Sequence, residues 1–215
     1  MTFGLITEGP TDQVVLRHIL ARFFSPDIDI RPVQPNTDST DEAEHLGGWS
    51  RVLGYCKSPD MLAALQVNDL VVVQIDTDVC EKYGVQKREG GLDISDDEII
   101  EKTKAVIVEN IGTDLFKEHS HKIIFAISHD SIECWLLPLY YTNNNRTKTF
   151  NCCDTLNQEL RKRDFTIDCN NKRAKEYNKI CKEIRNKTII ESISVHNNSF
   201  NQFIQKLATL TNIQT

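Results

Sequence analysis

Three acidic stretches carry residues that could do chemistry. Glu8 follows five residues able to form a strand (3–7), and a Gly9-Pro10 break separates it from Thr11-Asp12. Asp76 and Asp78, spaced i, i+2, close the run Leu70-Val-Val-Val-Gln-Ile-Asp-Thr-Asp78. A third apolar run, 122–127, leads into Ser128-His-Asp-Ser-Ile-Glu133. Carboxylates gathered at neighbouring strand tips repel and raise each other's pKa unless a cation lies between them. All-oxygen ligation suits Mg²⁺ or Mn²⁺ rather than zinc. At this level Asp130 and His129 stand beside Ser131 and Glu133 as alternatives.

The elements that must position these groups follow from local pattern. Gly9 permits a sharp turn, Pro10 has the φ of a first helical turn, and Thr11 or Asp12 can cap a helix running to about Phe24. That helix carries Val15, Ile19, Leu20 and Phe23 at helical spacing. Ser25-Pro-Asp ends it, residues 28–33 alternate as a short strand, and 34–45 read as a polar loop. Gly47-Gly48 precedes a helix at 49–56, either as a hinge or as N–H groups open to a phosphate. A further helical turn or two follows at 61–66.

The run ending at Asp76 is apolar on both faces, as a strand covered on both sides should be. Residues 79–93 form a long loop with Lys82, Lys87, Arg88 and Gly90-Gly91, long enough to serve as a lid or substrate contact. Ser95 and Glu98 have capping-box spacing ahead of a helix with Ile99, Ile100, Thr103, Val106 and Ile107 on its apolar face. After Asn143-Asn-Asn145 the chain reads as helices at 154–163, 173–185 and 199–209. In the second of these, Ala174, Tyr177, Cys181 and Ile184 share one face.

Glu8-Gly-Pro-Thr-Asp12 after a first strand, with Asp76-Thr-Asp78 after a later one, resembles the Toprim superfamily. That superfamily includes bacterial primases, topoisomerases and nucleases of the overcoming-lysogenization-defect type. Ser131-Ile-Glu-Cys-Trp-Leu-Leu137 and Ser199-Phe-Asn-Gln-Phe203 extend the similarity to the small stand-alone Toprim proteins of phage-defence operons. The resemblance spans nearly the whole chain. It implies an α/β fold: a Rossmann-like Toprim domain (1–145) with a mostly parallel sheet of about four strands flanked by helices, and a basic helical C-terminal extension (146–215). It implies Glu8, Asp76 and Asp78 as catalytic residues, and Glu8, Asp12, Asp76, Asp78, Ser131 and Glu133 as ligands of one or two metal ions. A lysine from a later segment is also implied, Lys172 or Lys175 here.

Composition bounds the rest. The chain has 215 residues, 40% hydrophobic and 26% charged, with no 18-residue apolar run. The start lacks the layout of a signal peptide. Seven cysteines, with Cys152-Cys153 adjacent and no Cys-x-x-Cys, read as reduced thiols of a cytoplasmic protein, neither a disulfide frame nor a zinc site. Residues 1–145 hold 12 Lys/Arg against 24 Asp/Glu, and residues 146–215 hold 13 against 7. An acidic metal site served by a basic tail suits nucleic acid, with Arg161, Lys162, Arg163, Lys172 and Arg173 as backbone contacts.

The expected function is therefore metal-dependent hydrolysis of nucleic-acid phosphodiesters, of DNA or of RNA including tRNA, as effector of an anti-phage system. There is no room for a topoisomerase gate and no primase accessory region. With no Gly-x-x-x-x-Gly-Lys-Ser/Thr in the chain, a partner ATPase must be another protein. The rival expectation is a non-catalytic metal-binding sensor or regulatory subunit of such an ATPase. Homo-oligomerisation is open, and no membrane span is expected.

Overall fold

The computed structural model describes residues 1–24, 28–36 and 47–211. A four-stranded, all-parallel sheet flanked by helices gives the mixed α/β, Rossmann-like fold expected. In chain order the elements are β1 (Thr2–Ile6), α1 (Pro10–Phe23), β2 (Asp29–Gln34), α2 (Trp49–Lys57), α3 (Asp60–Val67) and β3 (Leu70–Asp76). Next come β4 (Arg88–Glu89), β5 (Leu92–Asp93), α4 (Asp96–Ile111), α5 (Thr113–His119), β6 (Ile123–Ser128) and α6 (Glu133–Leu136). The rest is helical: α7 (Cys152–Leu160), α8 (Ala174–Ile180), α9 (Lys187–Ser194) and α10 (Asn198–Thr211).

The sheet order is β2-β1-β3-β6. Its two central strands are the two expected to end in acids. Phe3 pairs with Leu70 and Ile6 with Val73, so the carboxyl ends of β1 and β3 lie side by side. All seven residues of β3 are buried, which is why the run reads as apolar without alternation. Ser95 caps α4 as its spacing predicts, its side chain accepting the Glu98 N–H at 3.3 Å.

The chain divides into two compact units, Met1–Gly9 with Asp27–Ile127, and Pro10–Pro26 with Ser128–Thr215. These divisions fall elsewhere than residue 145. The reason is α1, whose buried Val15, Leu16, Ile19 and Leu20 belong to a helix that packs with α8 and α9 of the second unit. Sequence order alone groups α1 with the strand before it.

Two segments differ from their expected form. Residues 79–93 are not one open loop: a 3₁₀ turn, Cys80–Tyr83, is followed by the β4–β5 hairpin. Its turn places Gly90 and Gly91 at φ 57° and 84°, the left-handed values a tight hairpin needs. The cysteine reading is also corrected. Cys134–Cys152 and Cys153–Cys169 are disulfides, while Cys56, Cys80 and Cys181 are free and buried. Sequence separations of 18 and 16 hid a pairing that only the folded backbone creates. The expected helix break at 25–27 and part of the polar loop lie outside the described residues. Among the described residues no helix is long and apolar enough to cross a membrane.

Candidate functional site

In the first unit, the site begins with the register of β1 against β3. Two residues beyond the Ile6–Val73 pair, Glu8 reaches across to the tip of β3, and its Oε1 accepts the Asp76 N–H at 2.8 Å. Gln74, fully buried within β3, accepts the Glu8 N–H at 3.0 Å and donates from Nε2 to Asp76 Oδ1 at 2.8 Å. One amide thus fixes both acids from the core side. Tyr83 closes the other side, donating its hydroxyl to the Asp76 carbonyl at 2.9 Å. Burial pushes the Tyr83 phenol up, so it stays a donor across the ordinary pH range.

The glycines before α2 serve this corner too. Gly48 N–H donates to the Glu8 carbonyl at 2.7 Å, and a Cβ on Gly47 would lie 2.3 Å from that same oxygen. Close backbone approach is what the pair provides, so the Gly48 N–H is already engaged within the protein. Asp78 lies one step outside. It is exposed, its Oδ1 accepts the Val79 N–H at 2.7 Å, and its carbonyl accepts Lys87 Nζ at 2.8 Å.

Glu8 and Asp76 together present hard oxygen donors, one oxygen of each oriented by a hydrogen bond. This donor set fits Mg²⁺ or Mn²⁺, which need only one or two protein carboxylates and keep several waters. Among the described residues no trio of Glu8, Asp76 and Asp78 oxygens closes to 4.8 Å, so the fit is to a pair of carboxylates rather than a three-acid cage.

The other expected residues lie in the second unit. Asp12 is a buried acid in the first turn of α1. Glu133, at the start of α6, is fully buried, and its Oε1 accepts from Lys172 Nζ at 2.6 Å and from the Tyr177 hydroxyl. Burial pushes the Glu133 carboxyl up, but Lys172, with Tyr177 and a lesser contribution from Ser131, outweighs it and holds it below the usual range. Its other oxygen, Oε2, is buried with no hydrogen-bond partner among the described residues. Of the two candidate lysines, Lys172 reaches Glu133, while Lys175 is exposed on α8.

Asp130 adopts a left-handed φ of 62°, and its carboxylate lies within 4.8 Å of the sulfurs of Cys134 and Cys152. Those sulfurs are bonded to each other, so the trio offers no thiolate to a metal in this form. The two stretches that carried the narrower resemblance pack on one another. Trp135 stacks on Phe200 and Phe203, with ring centroids 4.8 and 5.4 Å away. Ser199 Oγ accepts from Trp135 Nε1 at 2.8 Å and from the His129 N–H at 3.1 Å.

Arg161, Lys162 and Arg163 form one exposed 3₁₀ turn after α7. Lys162 pairs with Glu159 at 2.6 Å, and Arg163 pairs with Glu183 at 3.1 Å while lying over the Tyr140 ring. Arg173 is exposed.

Sequence reasoning missed Gln74, Tyr83, Tyr177 and the four bonded cysteines as parts of these sites. Gln74 had a signal, being the one polar side chain inside the β3 run before Asp76. Tyr177 had a weaker one, its place on the apolar face of α8. No protein-family profile, curated relative or solved structure matches this chain.

Proposed function

We propose that the chain is a metal-dependent phosphodiesterase acting on nucleic acid, with Glu8 and Asp76 as the metal-holding pair. The observation that carries this reading is the Glu8–Asp76 contact, clamped from inside the sheet by Gln74. The buried amide is hydrogen-bonded through both its oxygen and its nitrogen, so it orients the two acids at adjoining strand tips rather than leaving them as loose surface charge. At the carboxyl ends of parallel strands, such a pair sits where open α/β sheets bind ligands.

When bound, Mg²⁺ or Mn²⁺ supplies Lewis-acid polarisation of a phosphoryl oxygen and neutralises developing negative charge. Glu8 and Asp76 bind that ion. Asp78, exposed beside them, is placed to orient solvent or substrate. In the second unit, Ser131 and Glu133 are the residues that the Toprim resemblance would assign to a second ion, with Lys172 as its later-segment lysine. Arg161, Lys162, Arg163 and Arg173 bind the phosphate backbone without reading bases, because they are exposed cations with few aromatics between them. The resemblance is what supports a separate ATPase partner and a role in phage defence.

The test is incubation of the purified chain with supercoiled plasmid, linear duplex and tRNA, with Mg²⁺ or Mn²⁺ and with chelator. Cation-dependent cleavage of one of these substrates is expected. Cation binding with no cleavage of any of them, with or without an ATPase encoded beside it, would make the chain a regulatory subunit instead.

A further inference from the structure

The two disulfides meet on adjacent residues. Cys152 and Cys153 open α7, and from there one bond runs to Cys134 and the other to Cys169. Cys134 is the neighbour of Glu133, and Cys169 lies three residues before Lys172. Each partner of the Glu133–Lys172 ion pair is therefore tethered, through its own disulfide, to the same end of one helix.

The two tethers differ in exposure. Cys134 and Cys152 are 0% and 1% exposed, whereas Cys153 and Cys169 are half-buried. They also differ in what else holds the chain. Glu133 is fixed within α6, in a fully buried run from Ile132 to Leu137. The segment before Lys172 has no regular structure. Asn157 holds it at Ile167, with hydrogen bonds of 2.8 and 2.9 Å, and Asp168 closes a local turn on Asn170 and Asn171. Between Ile167 and the start of α8, the Cys153–Cys169 bond is the one covalent tie. Holding a lysine against a buried carboxylate costs side-chain and backbone entropy, and that cost rises when the tie is cut.

We propose that Cys153–Cys169 is a reversible redox-modification site, opened by a dithiol reductant, which releases Lys172 from Glu133 while Cys134–Cys152 stays closed. A thiolate of the dithiol attacks one sulfur of the bond, forming a mixed disulfide and expelling the other sulfur as thiolate. The dithiol's second thiolate then attacks the reagent's own sulfur in that mixed disulfide, expelling the remaining cysteine sulfur as thiolate, and the reagent leaves as a cyclic disulfide. Two electrons and two protons pass to Cys153 and Cys169. The half-buried bond reacts before the buried one because attack needs access to sulfur. The switch concerns the ion pair itself and holds whatever reaction the chain performs.

The experiment uses the full chain, oxidised, before and after graded treatment with dithiothreitol. Thiols are mapped by alkylation and mass spectrometry, and lysines by pulse acetylation. Expected are two new thiols, at Cys153 and Cys169, and a rise of about tenfold in Lys172 acetylation as its buried partner is lost. Acetylation of the exposed Lys182 and Lys206 should stay constant, with far-UV circular dichroism unchanged. Cys169→Ser should show the high Lys172 rate without reductant. Three results would overturn the proposal. One is an unchanged Lys172 rate with both thiols freed, and another is alkylation of Cys153 and Cys169 before any reductant. The third is a common rise at all three lysines with loss of helix signal, which would make the bond only a stability staple.

Discussion

Glu8 takes the backbone N–H of Asp76 on its Oε1 at 2.8 Å, and Gln74 ties the same two residues together from the core. An acid that accepts a neighbour's backbone N–H is held by the sheet itself and not only by its own rotamer. The arrangement turns two residues 68 apart in sequence into one structural unit.

Gln74→Leu tests that unit from the inside. The substitution keeps volume but removes the acceptor for Glu8 N–H and the donor to Asp76 Oδ1. Urea unfolding is expected to show a loss of about 1–3 kcal/mol, the cost of leaving buried polar groups without that partner. Divalent-cation affinity should fall with it. Unchanged stability would mean the amide is not a clamp.

Gly47→Ala tests it from the outside. Its Cβ, fixed rigidly to the residue-47 backbone, would lie 2.3 Å from the backbone carbonyl oxygen of Glu8, so one of the two segments must move. A destabilisation of about 1–3 kcal/mol is expected, as for overpacking elsewhere. Gly54→Ala, where a Cβ meets nothing within 4 Å, is the control and should cost far less.

Lys172→Met is expected to destabilise the protein by about 3–5 kcal/mol, toward the lower end because the lysine side chain is 30% exposed. The pH dependence should reverse as well. In the wild type the Glu133 carboxyl is held below its ordinary 4.5, so its stabilisation is present above that value and lost as pH falls through the folded one. Without Lys172, burial dominates and raises the carboxyl, so stability should instead fall as pH rises through its new value. Chemical denaturation between acid and neutral pH reads both slopes. Parallel profiles for the two proteins would contradict the ion pair's role.

Ser199→Ala removes the shared acceptor of Trp135 Nε1–H and His129 N–H. A loss of about 1–3 kcal/mol in thermal or urea unfolding is expected. Ser199→Thr, which keeps the hydroxyl, should recover part of it.

Much of the fold was legible because its signals are local. The β3 run, the Ser95 cap and the apolar face of α1 each declare themselves within a few residues. The short helices α5 and α9 did not, since seven or eight residues give too few turns for periodicity to stand out. Of the site, the acids at the ends of β1 and β3 were readable from strand-then-carboxylate order. Gln74 was passed over because its role depends on register between two strands. The membership of α1 in the second unit, the choice of Lys172 over Lys175 and both disulfides depend on contacts between distant segments, which spacing does not encode.

The most direct measurement of the central claim is Mn²⁺ binding, followed by electron paramagnetic resonance, to the wild type, Glu8→Gln and Asp76→Asn. Each variant keeps side-chain size and hydrogen-bonding capacity while removing one anionic ligand. The wild type is expected to bind the ion, and each variant to bind it at least about tenfold more weakly, the scale of lost metal-site interactions. Wild-type affinity retained in both variants, with their folds intact, would show that Glu8 and Asp76 do not hold the ion.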